Sequence, residues 1–101
     1  MPSPFIESIR RDMRLRGYSM RTEKSYLYWI RFYIHFIGKR HPKDAGAQEV
    51  KAFLSHLASD RNVAVNTQKV ALNAVVFLYH KFLHQELGEL GFSLAVKQRV
   101  L

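Results

Sequence analysis

The apolar residues of this 101-residue chain recur at spacings of three and four almost throughout. That is the period of amphipathic helices; strand-like alternation never holds for long. The first helix is predicted over about 3–16. Ser3 suits its N-cap and Pro4 its first position, where the missing N–H is no loss. Phe5, Ile6, Ile9 and Met13 share one face, and Arg10, Arg11, Arg14 and Arg16 lie mostly off it. Gly17 supplies the C-terminal stop. A second helix is predicted over about 19–39, with Ser19 as N-cap. Tyr26, Trp29, Ile30, Tyr33, Ile34 and Ile37 form its broad apolar face, and Gly38 and His41-Pro42 end it. After a linker, Lys43 to Gly46, a third helix is predicted over about 47–59. Val50, Phe53, Leu54, Leu57 and Ala58 point inward there, with Gln48, Glu49, Lys51 and Ser55 facing away. The fourth, over about 65–87, is apolar on more than one side: Leu72, Val75, Val76, Tyr79, Phe82 and Leu83 on one, Val70, Ala74 and Phe77 on another. Such a helix is expected at the centre of a bundle. Gly88 and Gly91 break it, leaving either a short helix or a linker.

The reading is therefore one all-α domain over 1–88 and a linker tail over 89–101. Its length and its 48% hydrophobic residues suffice for one modest core. The absence of Cys excludes disulfides, thiolate catalysis and cysteine-ligated zinc. No run of 18 apolar residues predicts a membrane span, and the start does not read as a signal peptide. A cytoplasmic location is expected.

Charge changes the picture most. The formal net charge is +8, with a sequence pI near 10.1, and a domain this basic is expected to bind a polyanion. Residues 1–41 hold nine Lys and Arg against three acids; residues 42–101 hold seven against five. On a helical wheel of the second helix, Arg21, Lys24, Ser25, Tyr28, Arg31, His35 and Lys39 cluster opposite the apolar face. That stripe contains no acid. Its cations suit phosphates, and its hydroxyls can donate to phosphate oxygens. A second candidate is the start of the fourth helix: Asn66, Thr67, Gln68 and Lys69, with Asn73 beyond. Free N–H groups and the dipole there favour phosphate, and Asn, Gln and Lys can read base edges. Ordinary first-turn polarity would look the same.

Catalytic signals are missing. There is no Gly-x-Ser-x-Gly elbow, no Ser–His–acid arrangement and no Gly-rich phosphate loop. His80 and His84 stand four apart, a spacing that could serve a metal, but no third ligand accompanies them, and two surface histidines are expected instead. The aromatics have mostly core spacing. Tyr28, Phe32 and Phe77 are the exceptions, open to DNA or to a partner domain.

The stretch Gly17-Tyr18-Ser19-Met20-Arg21-Thr22-Glu23-Lys24-Ser25-Tyr26, continuing to Trp29-Ile30-Arg31-Phe32-Tyr33, resembles the opening of integron integrases, members of the tyrosine recombinase (phage integrase) family. His41-Pro42 followed by Gly46, Val50, Phe53-Leu54 and Leu57-Ala58 continues the likeness. So does Asn62-Val63-Ala64 leading through Thr67-Gln68 to Ala71-Leu72-Asn73-Ala74 and Phe77-Leu78-Tyr79. The resemblance implies the N-terminal core-binding domain, a SAM-like bundle of four helices whose second and fourth helices face the major groove. It implies DNA recombination sites as partner, duplex or folded single strand, and a tetrameric parent on DNA. It implies neither metal nor cofactor, and a catalytic domain following the linker. The fragment itself is not expected to be an enzyme. The rival expectation is a helical protein-interaction module.

Overall fold

Four α-helices form where the helical period runs, in a computed structural model that describes residues 4–87. They are α1 (Pro4–Leu15), α2 (Met20–Phe36), α3 (Ala47–Ser59) and α4 (Val65–Val76). A 3₁₀ turn spans Pro42–Asp44, and α4 runs into a π-helical turn over Phe77–Phe82. Among the described residues there is no strand. The expected linker over 89–101 and the expected cap Ser3 lie outside them.

The predicted stops operate as expected. Gly17 and Gly38 adopt φ of 83° and 82°, the left-handed conformation that closes α1 and follows α2. The Ser19 side chain accepts from the Thr22 backbone N–H at 3.1 Å, so it does cap α2. At α3, Gly46 supplies no side-chain oxygen. Glu49 instead turns back and accepts from the Gly46 N–H at 2.8 Å. Those backbone N–H groups, with Arg40 adding, hold the Glu49 carboxyl below its ordinary value. Glu49 is thus half-buried rather than facing away, and Ala58, expected inside, is exposed.

Two predicted helices are shorter than their apolar pattern. α2 stops at Phe36, so Lys39 leaves the helical stripe and takes φ of 63° in the following loop. α4 changes hydrogen-bond register near Phe77: the Leu83 N–H reaches the Leu78 carbonyl five residues back. The wider turn lets three consecutive residues, Phe77, Leu78 and Tyr79, all be buried. It also removes His84 from the helix, with φ of 55°. His80 and His84 therefore do not form an i, i+4 pair. The His80 Nε2 accepts from the Leu87 N–H at 3.3 Å.

The core contains Ile9, Met13, Ile30, Tyr33, Val50, Phe53, Leu57, Val75, Leu78 and Tyr79. α4 packs against α2 and α3, and its π turn reaches α1, which gives the central position its two apolar sides predict. One polar chain crosses this core. Tyr79 donates its hydroxyl to the Pro42 carbonyl at 2.6 Å, leaving Tyr33 to donate to the Tyr79 oxygen at 2.8 Å. Burial pushes both phenols up. Tyr79→Phe would strand the buried carbonyl and the Tyr33 hydroxyl, at a cost of about 1–3 kcal/mol. A lower urea midpoint at unchanged slope is the expected result; an unchanged midpoint would assign this chain of bonds no role in stability.

Candidate nucleic-acid interface

The strongest electrostatic feature is the way acids are distributed among cations. Glu23 is fully buried between α1 and α2. Arg14 donates to it through Nε at 2.9 Å and Nη2 at 3.2 Å, and Arg10 through Nη1 at 3.1 Å. The Arg14 bonds hold the Glu23 carboxyl below its ordinary value against the opposing effect of burial, with Arg10 assisting. Glu23 in turn raises Arg14. Arg16 pairs with Asp12 at 2.7 Å and donates to the Lys81 carbonyl at 3.1 Å. Much of the positive charge on α1 is therefore neutralised locally. The excess of cations counted over residues 1–41 is thus less free on α1 than on α2. A signal was present in the sequence: Glu23 lies one turn before Leu27, on the side of α2 that turns inward.

On α2 the situation is reversed. Arg21, Lys24, Tyr28, Arg31 and His35 are exposed and Ser25 is half-buried. Among the described residues, Arg21, Lys24 and Arg31 have no acidic partner. The six positions recur at three and four along one face, about 21 Å long at the rise of an α-helix. Surface depressions follow the same line, one at Met20, Arg21, Lys24 and Ser25, the next at Tyr28, Arg31, Phe32 and His35. The Tyr28 ring is 57% exposed and meets Trp29 and Phe32 edge-on. Phe32 stacks on Trp29, and the Arg61 guanidinium lies 5.1 Å from its ring centre. Phe77 behaves otherwise: it is 3% exposed, between Tyr18 and Tyr26, and belongs to the core.

The start of α4 divides. Asn66, Lys69 and Asn73 are exposed at spacings of three and four, and Thr67 is half-buried. Gln68 turns back, its amide donating to the Val63 carbonyl at 2.8 Å, so that N–H is taken up inside the domain rather than offered to a base. The π turn that continues α4 meets α2 through Tyr26–Phe77 and Tyr33–Tyr79, on the side of α2 opposite the basic row.

Among the described residues no group of three or more His, Asp or Glu could hold a metal, and no helix is long and apolar enough to cross a membrane. Residues 5–89 match the family described as phage integrase, N-terminal SAM-like domain. The chain belongs to this family. It is 45% identical over 82 residues to proteins named integrase/recombinase from Escherichia coli and Pseudomonas aeruginosa. A Sinorhizobium fredii integrase/recombinase, y4qK, is 25% identical over 84 residues. These alignments take in 81–83% of this chain but only 24–27% of the relatives, so the chain spans about a quarter of their length. The SAM-like, all-α fold expected from the sequence is thereby established, and its relatives are recombinases.

Proposed function

We propose that this domain is the DNA-clamping part of a site-specific tyrosine recombinase of the integron type, serving the integration and excision of gene cassettes. The observation that carries the reading is the acid-free row on α2 in a chain of this family whose other basic helix, α1, has most of its cations paired. Arg21, Lys24 and Arg31 neutralise phosphates and release counterions, while Ser25, Tyr28 and His35 offer hydrogen bonds between them. Asn66, Thr67, Lys69 and Asn73 on α4 form a second contact set. The strand-cutting chemistry belongs to a catalytic domain of the parent protein, acting on duplex or folded single-stranded recombination sites within a tetramer in the cytoplasm. Neither metal nor cofactor enters this scheme.

The test is binding of the 101-residue chain to a fluorescent duplex between 50 and 200 mM salt. Three phosphate contacts give a slope of about −2.7 in log K against log salt, a loss of about fortyfold over that range. Salt-insensitive binding, or none, would overturn the reading. Persistent association at high salt would instead favour a protein-interaction surface around Tyr28 and Phe32.

A further inference from the structure

Within the segment between α2 and α3, the run Lys39-Arg40-His41-Pro42-Lys43 is exposed except at Pro42, and the exposed Asp44 follows it. It holds three Lys and Arg and one His in five positions, and of these only Lys39 belongs to the stripe expected on the second helix. Three features show that it is a shaped surface rather than a loose connection. First, Pro42 is anchored from inside by the Tyr79 hydroxyl at 2.6 Å. Second, the His41 ring is oriented: Nδ1 accepts from the Lys43 N–H at 3.2 Å, and the ring meets Phe5 at 4.8 Å. With Nδ1 accepting, the neutral ring carries its proton on Nε2, a ready donor. Third, Lys39 holds φ of 63° directly after Gly38, itself at 82°. A left-handed lysine is strained and persists where surrounding structure demands it.

The loop is continuous with the row on α2. Arg31 and His35 line the last depression of that row and also a groove of about 610 Å³ whose far wall is Lys39 and His41. Phe5 and Ile34 form its apolar floor. Arg40 is engaged elsewhere, donating to the Ile37 carbonyl at 3.1 Å and approaching Glu49 at 3.5 Å. Lys39 and Lys43 have no acidic partner among the described residues.

We propose that Lys39, His41 and Lys43 form a second phosphate-binding station, which extends the DNA track of α2 past the end of the helix. Cations at the rim meet successive phosphates, and the apolar floor faces the deoxyribose carbons between them. The occupant is a nucleic-acid backbone because the groove lining has cations on both walls and no acid, the complement of a phosphodiester chain; Lys43 and the exposed Asp44 beside it lie past that lining. The inference rests on the reading of α2 as a DNA-facing helix.

The experiment compares duplex binding by wild type, Lys39→Asn/Lys43→Gln and Arg21→Ala/Arg31→Ala across salt. Asn tolerates the left-handed conformation at position 39, so the loop keeps its path, and circular dichroism with a urea midpoint verifies the fold. Loss of two contacts should flatten the slope by about 1.8 and weaken binding about twentyfold at 200 mM salt. If Lys39→Asn/Lys43→Gln binds as wild type while Arg21→Ala/Arg31→Ala flattens the slope, the loop station is wrong and the α2 reading stands. If wild type shows no salt-dependent binding, both fall.

Discussion

The variant Arg21→Ala/Arg31→Ala should bind duplex DNA about 200-fold more weakly than wild type at 50 mM salt, and only about twentyfold more weakly at 200 mM. The numbers follow from counterion release: each phosphate contact contributes about 0.9 to the slope of log K against log salt, and its contribution fades toward 1 M. Two contacts therefore remove about 1.8 from the slope. The narrowing of the gap with salt is the diagnostic part. A variant that had lost shape complementarity would bind more weakly by a similar factor at every salt concentration. Neither side chain has an acidic partner among the described residues, and both are exposed, so the fold should tolerate the change within about 0.5 kcal/mol. Anisotropy titrations at four salt concentrations decide the matter; parallel salt curves for the two proteins would remove α2 from the interface.

Such a surface was readable in advance because helical period and charge are both local properties. Arg21, Lys24, Tyr28, Arg31 and His35 fall on one face by spacing alone, and tertiary packing leaves that face outward. Ser19, Gly17 and Pro4 marked helix ends for equally local reasons, in capping and backbone geometry. What sequence spacing misplaced depends on backbone turns and on contacts that residue type and period do not encode. The π turn that buries Phe77 answers to Tyr18 and Tyr26, about fifty residues away and more. The early end of α2 moves Lys39 off the stripe because Gly38 and Lys39 both turn left-handed, although the apolar period runs on to Ile37. Gln68, a base reader by residue type, also donates an amide N–H to the Val63 carbonyl at the entry to α4. Charge counting along the chain could not tell which cations are free. That depends on Glu23, one acid buried where two helices meet.

Glu23 is accordingly where the largest loss of stability is expected. Glu23→Gln keeps the shape and removes the charge, leaving Arg10 and Arg14 without their shared anion. Breaking a fully buried pair costs about 3–5 kcal/mol. Here the Arg10 and Arg14 side chains retain 28% and 54% exposure and can partly rehydrate, so about 2–3 kcal/mol is expected. The effect must depend on pH. The folded carboxyl lies below its ordinary value, so its contribution is fully present above the unfolded value of about 4.3. It is lost as pH falls through the lower folded value. Wild type and Glu23→Gln should therefore differ in urea midpoint at pH 7 and converge under acid; a gap of constant size from pH 7 to pH 3 would show that packing, not charge, accounts for the loss. The same substitution should have a second consequence. Arg14 would become a free cation on α1, while Arg10 keeps Glu7 at 3.4 Å, so the less stable variant should bind duplex more tightly at low salt than wild type does. One buried acid thus both joins α1 to α2 and takes up cations of α1, while Arg21, Lys24 and Arg31 on α2 stay without an acidic partner among the described residues.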